Sequence, residues 1–262
     1  MSSDLEGPIS LSITIIGHNE ALHLEELLPS LSFAEEVIYV DCESKDASLK
    51  IAEKFGCKTF ERSNNRNLNI NKSFAMDQAK GDWIFYLDPD ERISEQLIKE
   101  VKSVIQSDPE ASAFKLPRKN HYFGYWLQYG SQYPDFQLRL FRRGKASFPN
   151  RHVHEKLQVD GQVRVLNNAL LHYPYLDISQ FLRKFDFYTG VEADYLQEAG
   201  VQISPTNHLR FLLLRPLSRF LRRYLLKQGF RDGLPGLFCA IFDAMNQIVR
   251  YLKLWERQSR LK

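Results

Sequence analysis

Between Leu11 and Leu87 the sequence alternates short apolar runs with amphipathic stretches, and this alternation constrains the fold more than any other feature. The run L-S-I-T-I-I at 11–16 is β-branched and almost continuously hydrophobic, as in a strand buried on both faces. Gly17 and His18 end it, and Asn19 is placed to cap a helix from Glu20 to Leu31. A second strand, Val37 to Val40, runs into Asp41, and Asp46 stands at the head of a helix reaching about Phe55. A short strand at 58–60, a polar loop with five Asn between 64 and 71, a helix to Ala79 and the strand W-I-F-Y-L at 83–87 complete a βαβαβ pattern. Such a pattern folds as an α/β, Rossmann-like layer: a mostly parallel sheet with helices on both faces.

Beyond a helix at about 94–106 the character changes. Strand-like pieces are expected at 113–116, 136–141 and 163–172, and the aromatic stretch 122–133, with two Gly, suits a loop that shapes a pocket. From Ile178 the chain reads as helices at about 178–198, 207–228 and 235–258. In the last, Phe238, Ile241, Phe242, Met245, Ile248, Val249, Leu252 and Trp255 share one helical face. The expected division is an α/β domain over 1–175 and a helical C-terminal region over 176–262.

The net charge of +3 conceals two opposed parts. Residues 1–204 hold 23 Lys/Arg against 29 Asp/Glu, whereas 205–262 hold 12 against 3. An acidic body repels nucleic acid, so no nucleic acid partner is expected. The basic excess lies among Leu and Phe: Arg215, Arg219, Arg222, Arg223 and Lys227 interleave with Phe211, Leu214, Leu217, Phe220, Leu221, Tyr224 and Leu225. This suits an anionic membrane surface or a helix pair packed on the sheet or on another subunit. Pro216 is expected to kink or divide that helix. No uncharged apolar run approaches the roughly 18–20 residues a membrane span needs. Met1 to Gly7 carries Asp4 and Glu6 and shows no signal pattern, so a cytoplasmic location is expected. Three cysteines without close spacing support neither a disulfide framework nor a cysteine zinc site.

In a doubly wound sheet ligands bind beyond the C-terminal ends of the strands, so the polar residues there carry the chemistry. No G-x-G-x-x-G follows the first strand and no P-loop occurs, so phosphate must be met another way. The strongest signal is Asp88-Pro89-Asp90-Glu91 at the end of W-I-F-Y-L. Two carboxylates one residue apart can converge on a divalent cation that takes diphosphate oxygens; the same four residues also suit an acidic turn. Gln137, Arg139 and Arg142 recur along a later strand, facing either phosphates or solvent. Three histidines, His152, His154 and His172, follow later in the chain as candidate ligands or structural residues.

In order along the chain, I-T-I-I-G-H-N-E (13–20), V-I-Y-V-D-C-E-S-K-D (37–46), N-K-S-F-A-M (71–76), G-D-W-I-F-Y-L-D-P-D-E-R (81–92) and P-D-F-Q-L-R-L-F-R-R-G (134–144) resemble the family 2 glycosyltransferases. Within them the chain is most similar to the branch that adds a sugar to the lipopolysaccharide inner core, a β-1,4-glucosyltransferase branch. The resemblance covers roughly residues 10–175. It implies a glycosyltransferase-A fold and an inverting, metal-dependent transferase moving a hexose, glucose from UDP-glucose, to a lipopolysaccharide core or related glycolipid or oligosaccharide acceptor. It further implies a peripheral position on the inner face of the cytoplasmic membrane.

Residue by residue, the resemblance places Asn19, Glu20, Asp41 and Asp46 around the nucleoside and Lys72 and Arg139 near the donor phosphates. It makes Asp88 and Asp90 the D-x-D pair for Mn²⁺ or Mg²⁺, with Asp88 also touching the donor, His154, next to Glu155, the third metal ligand, and Asp135 the catalytic base. Relatives more often read Gln-Lys-Asn where this chain reads Asn71-Lys72-Ser73. Two other classes use such a sheet: a nucleotidyltransferase making an activated sugar, which needs a Gly-rich basic loop unlike I-G-H-N-E, and a non-catalytic nucleotide-sugar or lipid-binding adaptor.

Overall fold

The computed structural model describes residues 9–65, 67–107, 110–148 and 156–260. They fall into two compact units: the chain up to Arg118 with Phe136–His172, and Lys119–Asp135 with Tyr173 onward.

The first unit opens with β1 (Leu11–Gly17), buried along its whole length. It is followed by α1 (Ala21–Leu27), β2 (Glu36–Asp41), α2 (Ser48–Lys54), β3 (Lys58–Glu61), α3 (Leu68–Asp77) and β4 (Trp83–Leu87). Next come β5 (Glu91–Arg92), α4 (Glu95–Ser107), β6 (Ala111–Tyr122), β7 (Tyr125–Trp126), β8 (Asp135–Arg142), β9 (Ala146–Ser147), β10 (Gln158–Val159), β11 (Gln162–Val165) and β12 (Leu170–Tyr175). The sheet order is β3-β2-β1-β4-β8-β6-β12-β5. The expected parallel core is present: β1 pairs in parallel with β2 and β4, and β2 with β3. Beyond it the sheet becomes mixed, because β8 runs antiparallel to β4 and β12 antiparallel to β5.

Alternation along the strands feeds two apolar layers. Ile13, Ile15, Trp83, Phe85 and Leu87 face one side with Leu24, Leu27, Leu97 and Val101 from α1 and α4; Ile16, Val40, Ile84, Tyr86 and Phe141 face the other with Ala75 and Met76 of α3. Leu97, Val101 and Ile105, four residues apart, bury one stripe of α4. Gly81 lies so close to β1 that a Cβ there would stand 2.7 Å from the Ser12 backbone nitrogen, so only glycine lets β4 enter beside β1.

Several local expectations are corrected. Asn19 does not cap α1; it adopts φ 57° and its side chain turns to the loop after β2, accepting the Lys45 N–H at 2.7 Å. The first helix is shorter, since Pro29 lies in a 3-10 turn over Leu28–Leu31. The single strand expected at 163–172 is two strands, because the Glu100 carboxylate captures the Asn167 and Asn168 N–H groups at 2.7 and 2.8 Å and bends the chain between them.

In the second unit, β7 folds back on β6 with Trp126 opposite His121. Three segments follow: α5 (Ile178–Glu198), a helical run beginning with α6 (Pro205–Leu209) and continuing through α7 (Arg215–Leu221), and α8 (Gly233–Arg260). Asp177 and Ser204 cap α5 and α6 through side-chain oxygens. π-Helical turns flank α7 at Arg210–Leu214 and Arg222–Leu226, so the segment expected at 207–228 is divided, with Pro216 in the first turn of α7. Phe181, Phe185, Phe238 and Phe242 form an edge-on aromatic cluster between α5 and α8. The apolar face expected on α8 is not the buried one: Cys239, Ala240, Tyr251 and Leu254 are buried, while Phe238, Phe242, Ile248 and Val249 are half-buried and Ile241, Met245, Leu252 and Trp255 stay exposed. Cys42, Cys57 and Cys239 are free thiols. Among the described residues no helix is long and apolar enough to cross a membrane.

Candidate active site

At the C-terminal end of β4 the alternation that buries Ile84 and Tyr86 puts Asp88 on the same face, above α3. Its carboxylate is fully engaged. Tyr86 Oη donates to Oδ1 at 2.6 Å, Lys72 Nζ of α3 lies 3.5 Å from the same oxygen, and Arg139 of β8 donates to Oδ2. Arg139, almost completely buried, also donates to Glu91 at 2.7 Å and stacks 4.3 Å from the Tyr86 ring centroid. Glu91, with no exposure, accepts the Asp88 backbone N–H at 3.0 Å and lies 3.6 Å from Arg118. Antiparallel pairing of β4 with β8, Phe85 opposite Leu140, makes Arg139 the natural neighbour of Tyr86.

Burial alone would raise the Asp88 pKa, but the Arg139 and Lys72 charges and the Tyr86 hydroxyl outweigh it and hold the carboxyl well below the usual range. Burial, with Asp88 alongside, pushes the Tyr86 phenol up to about 12. For Lys72, burial is outweighed by Asp88 and the ammonium is held above its ordinary value. Asp88 and Lys72 are thus held in their charged forms at neutral pH.

Asp90 departs from this cluster. Its Oδ2 lies 3.6 Å from His172 Nε2 on β12, which the antiparallel pairing of His172 with Glu91 brings to the strand end. Both side chains retain some exposure, 16% and 13%. An imidazole and a carboxylate side by side are a donor set suited to a divalent cation. His154 and Glu155 lie outside the described residues. Among the described residues no group of three or more His, Cys, Asp or Glu converges as a metal cage.

A second group of predicted residues meets after β1 and β2. Asp41, buried, accepts from Tyr39 Oη at 3.2 Å and from the Ser44 N–H at 2.8 Å. Asp46 accepts from the Ser48 N–H at 2.9 Å and the Ala21 N–H at 3.1 Å, tying the loop to the start of α1; burial opposes these bonds but they keep its pKa low. Asn19 donates its N–H to Ser44 Oγ at 2.9 Å, and Glu20 donates its N–H to Ser48 Oγ at 2.8 Å. Asn71 is buried; its side chain accepts from Arg62 Nε at 3.0 Å and donates to the Ser63 carbonyl at 2.9 Å, which fixes the neighbouring Lys72.

In the second unit, Asp135 Oδ2 accepts from the buried Asn120 Nδ2 at 3.3 Å. Of the other strand residues, Arg142 donates to the Ala111 carbonyl at 2.9 Å and covers Trp83, a structural role. Sequence reasoning did not single out Asn120, the bridging role of Glu91 or the pairing of His172 with Asp90.

The mixed doubly wound sheet is of the glycosyltransferase-A type. The profile of glycosyl transferase family 2 matches residues 12–158, more than half the sequence, and the chain belongs to that family. It is a glycosyltransferase. It is similar to the lipopolysaccharide core biosynthesis glycosyltransferase LpsC of Rhizobium meliloti (strain 1021), 27% identical over 96% of this chain and 94% of that one. A glycosyltransferase of Rickettsia bellii (strain RML369-C) is 28% identical over 94% and 86%. The mannosyltransferase PcManGT of Pyrobaculum calidifontis, solved with GDP-Man and Mn²⁺, has a TM-score of 0.54 at 13% identity over 95% of this chain and 88% of that one, a likeness of fold.

Proposed function

We propose that the protein is an inverting, metal-dependent transferase that moves a hexose, glucose from UDP-glucose, onto a lipopolysaccharide core or related glycolipid acceptor. The observation that carries this reading is the strand-end arrangement in which Asp88 and Glu91 clamp Arg139 beside Lys72 while Asp90 stands with His172. Asn19, Glu20, Asp41 and Asp46 hold the nucleoside. Asp88 keeps Lys72 and Arg139 aligned for the donor phosphates, and Asp90 and His172 hold Mn²⁺ or Mg²⁺. When bound, the cation supplies charge neutralisation for the departing diphosphate.

Asp135, oriented by Asn120, takes the proton from the acceptor hydroxyl. The new bond forms at the sugar carbon as its bond to the diphosphate oxygen breaks, and the electron pair leaves with UDP. Similarity to LpsC, named for lipopolysaccharide core biosynthesis, supports the acceptor class. Peripheral attachment to an anionic membrane is supported by Leu209, Leu213, Leu217, Leu221 and Leu225, spaced four apart and each 40–55% exposed.

The test is UDP release from UDP-glucose with a core oligosaccharide acceptor, with Mn²⁺, with Mg²⁺ and with chelator. Metal-dependent turnover is expected, and Asp135→Asn should lower kcat by about 10²–10⁴-fold with donor affinity unchanged. Turnover undiminished by chelator would sink the metal assignment, and release of pyrophosphate from a nucleoside triphosphate would sink the transferase.

A further inference from the structure

Within the second unit, α7 and α8 flank an open cavity of about 420 Å³ with Arg215, Arg219, Arg222, Arg250, Ser218 and Gln247 among its lining residues and no carboxylate among them. The balancing charges are few. Glu192 holds Arg250 at 3.0 Å, and Asp243 lies 3.9 Å from Arg219 and 3.4 Å from Arg223. Arg215 instead lies against Phe211, 4.2 Å from the ring centroid, and Arg222 is exposed. Four guanidinium groups therefore share two carboxylates, one of them also claimed by Arg223.

Helix geometry produces this gathering: Arg215, Arg219 and Arg222, spaced i, i+4, i+7 along α7 and its C-terminal turn, share one face, and Arg250 reaches the same pocket from α8. Burial, and then the positive charges of Arg210, Arg250 and Arg219, hold the Arg215 pKa below its ordinary value. Arg250 Nε is buried without a hydrogen-bond partner. Like charges held together around a hollow are stabilised by an anion that enters it.

We propose that this cavity is a phosphate site, taking a phosphate monoester presented by a lipid headgroup or by a soluble phosphorylated compound. Guanidinium forks match phosphate oxygens, and Ser218 and Gln247 add neutral hydrogen-bonding groups. A pocket of this size, open to solvent on one side, takes a single anionic group. The proposal goes beyond the transferase reading, whose donor residues lie in the first unit and are measured separately by UDP titration.

The test uses the full chain and two double variants with the same change of charge. Arg215→Gln with Arg222→Gln empties the cavity wall; Lys102→Gln with Arg183→Gln removes two exposed cations that do not line it. Binding is measured to phosphatidylcholine vesicles containing phosphatidic acid, and by calorimetry to inorganic phosphate. The cavity variant should bind about tenfold more weakly, with the control within about threefold of the parent. A selective loss on vesicles without a response to inorganic phosphate assigns the source as a lipid headgroup; a selective loss of the calorimetric heat assigns a soluble phosphate. Equal losses in the two variants, or no binding by the parent in either assay, would overturn the site. Should the double variant unfold, Arg222→Gln alone, at an exposed position, gives the same comparison.

Discussion

The two arginine clusters of this protein are built on opposite principles. Around the end of β4, Arg139 is buried between Asp88 and Glu91, and the neighbouring Lys72 and Arg118 face the same carboxylates. Along α7 and α8, Arg215 and Arg222 meet no carboxylate among the described residues, while Arg219 and Arg250 rely on one each. In the first cluster desolvation is offset within the protein, so the geometry is fixed before any ligand arrives. In the second the offset is missing, partial exposure to water makes that tolerable, and the positive field remains available for an anion. Paired charges act as a scaffold, whereas unpaired ones attract.

Substitution can break this contrast. The largest effect is expected from Arg139→Ala, which strands Asp88 and Glu91 and should cost about 3–5 kcal/mol in urea unfolding. A loss below about 1 kcal/mol would show that the cluster is no scaffold. Next, Asp90→Ala and His172→Ala should each weaken Mn²⁺-dependent UDP binding by about 10–100-fold, read by calorimetry, while unfolding shifts by less than about 1 kcal/mol. Selective loss of the metal dependence would separate this pair from its structural neighbours.

A smaller effect attaches to Asp88→Asn, about 1–2 kcal/mol at neutral pH, because Arg139 keeps Glu91. Its pH dependence sharpens the comparison. The folded Asp88 carboxyl titrates well below the unfolded value of about 3.9, so its stabilisation is complete above that value and is lost as pH falls through the folded one. The parent should lose stability more steeply than the variant below about pH 4; matching acid unfolding curves would remove Asp88 from the linkage. The smallest effect belongs to Arg215→Gln. Relief of repulsion from Arg210, Arg219 and Arg250 opposes loss of the Phe211 contact, and the unfolding midpoint should move by no more than about 0.5 kcal/mol. A large destabilisation there would place both clusters in one class.

Much of the first unit was legible because its strands declare themselves locally. L-S-I-T-I-I and W-I-F-Y-L are short, apolar and bounded by turn residues, and Asp41 and Asp88 close their strands as read. The helix starting at Asn19 was misread because local preference for a cap lost to the hydrogen bonds offered by Ser44 and Lys45 across the loop. The strand at 163–172 was misread because Glu100, remote in sequence, interrupts it.

The alternating α/β layer, the acidic strand end and the basic, leucine-rich helices are each written in a periodicity of a few residues and can be read along the chain. Their partners are set by the folded molecule. Arg139 lies 51 residues from Asp88, His172 reaches Asp90 from another strand, and Arg250 joins Arg215 from another helix. Sheet register and helix packing set those meetings, and neither is encoded in any one segment, because each depends on which faces two distant segments bury together.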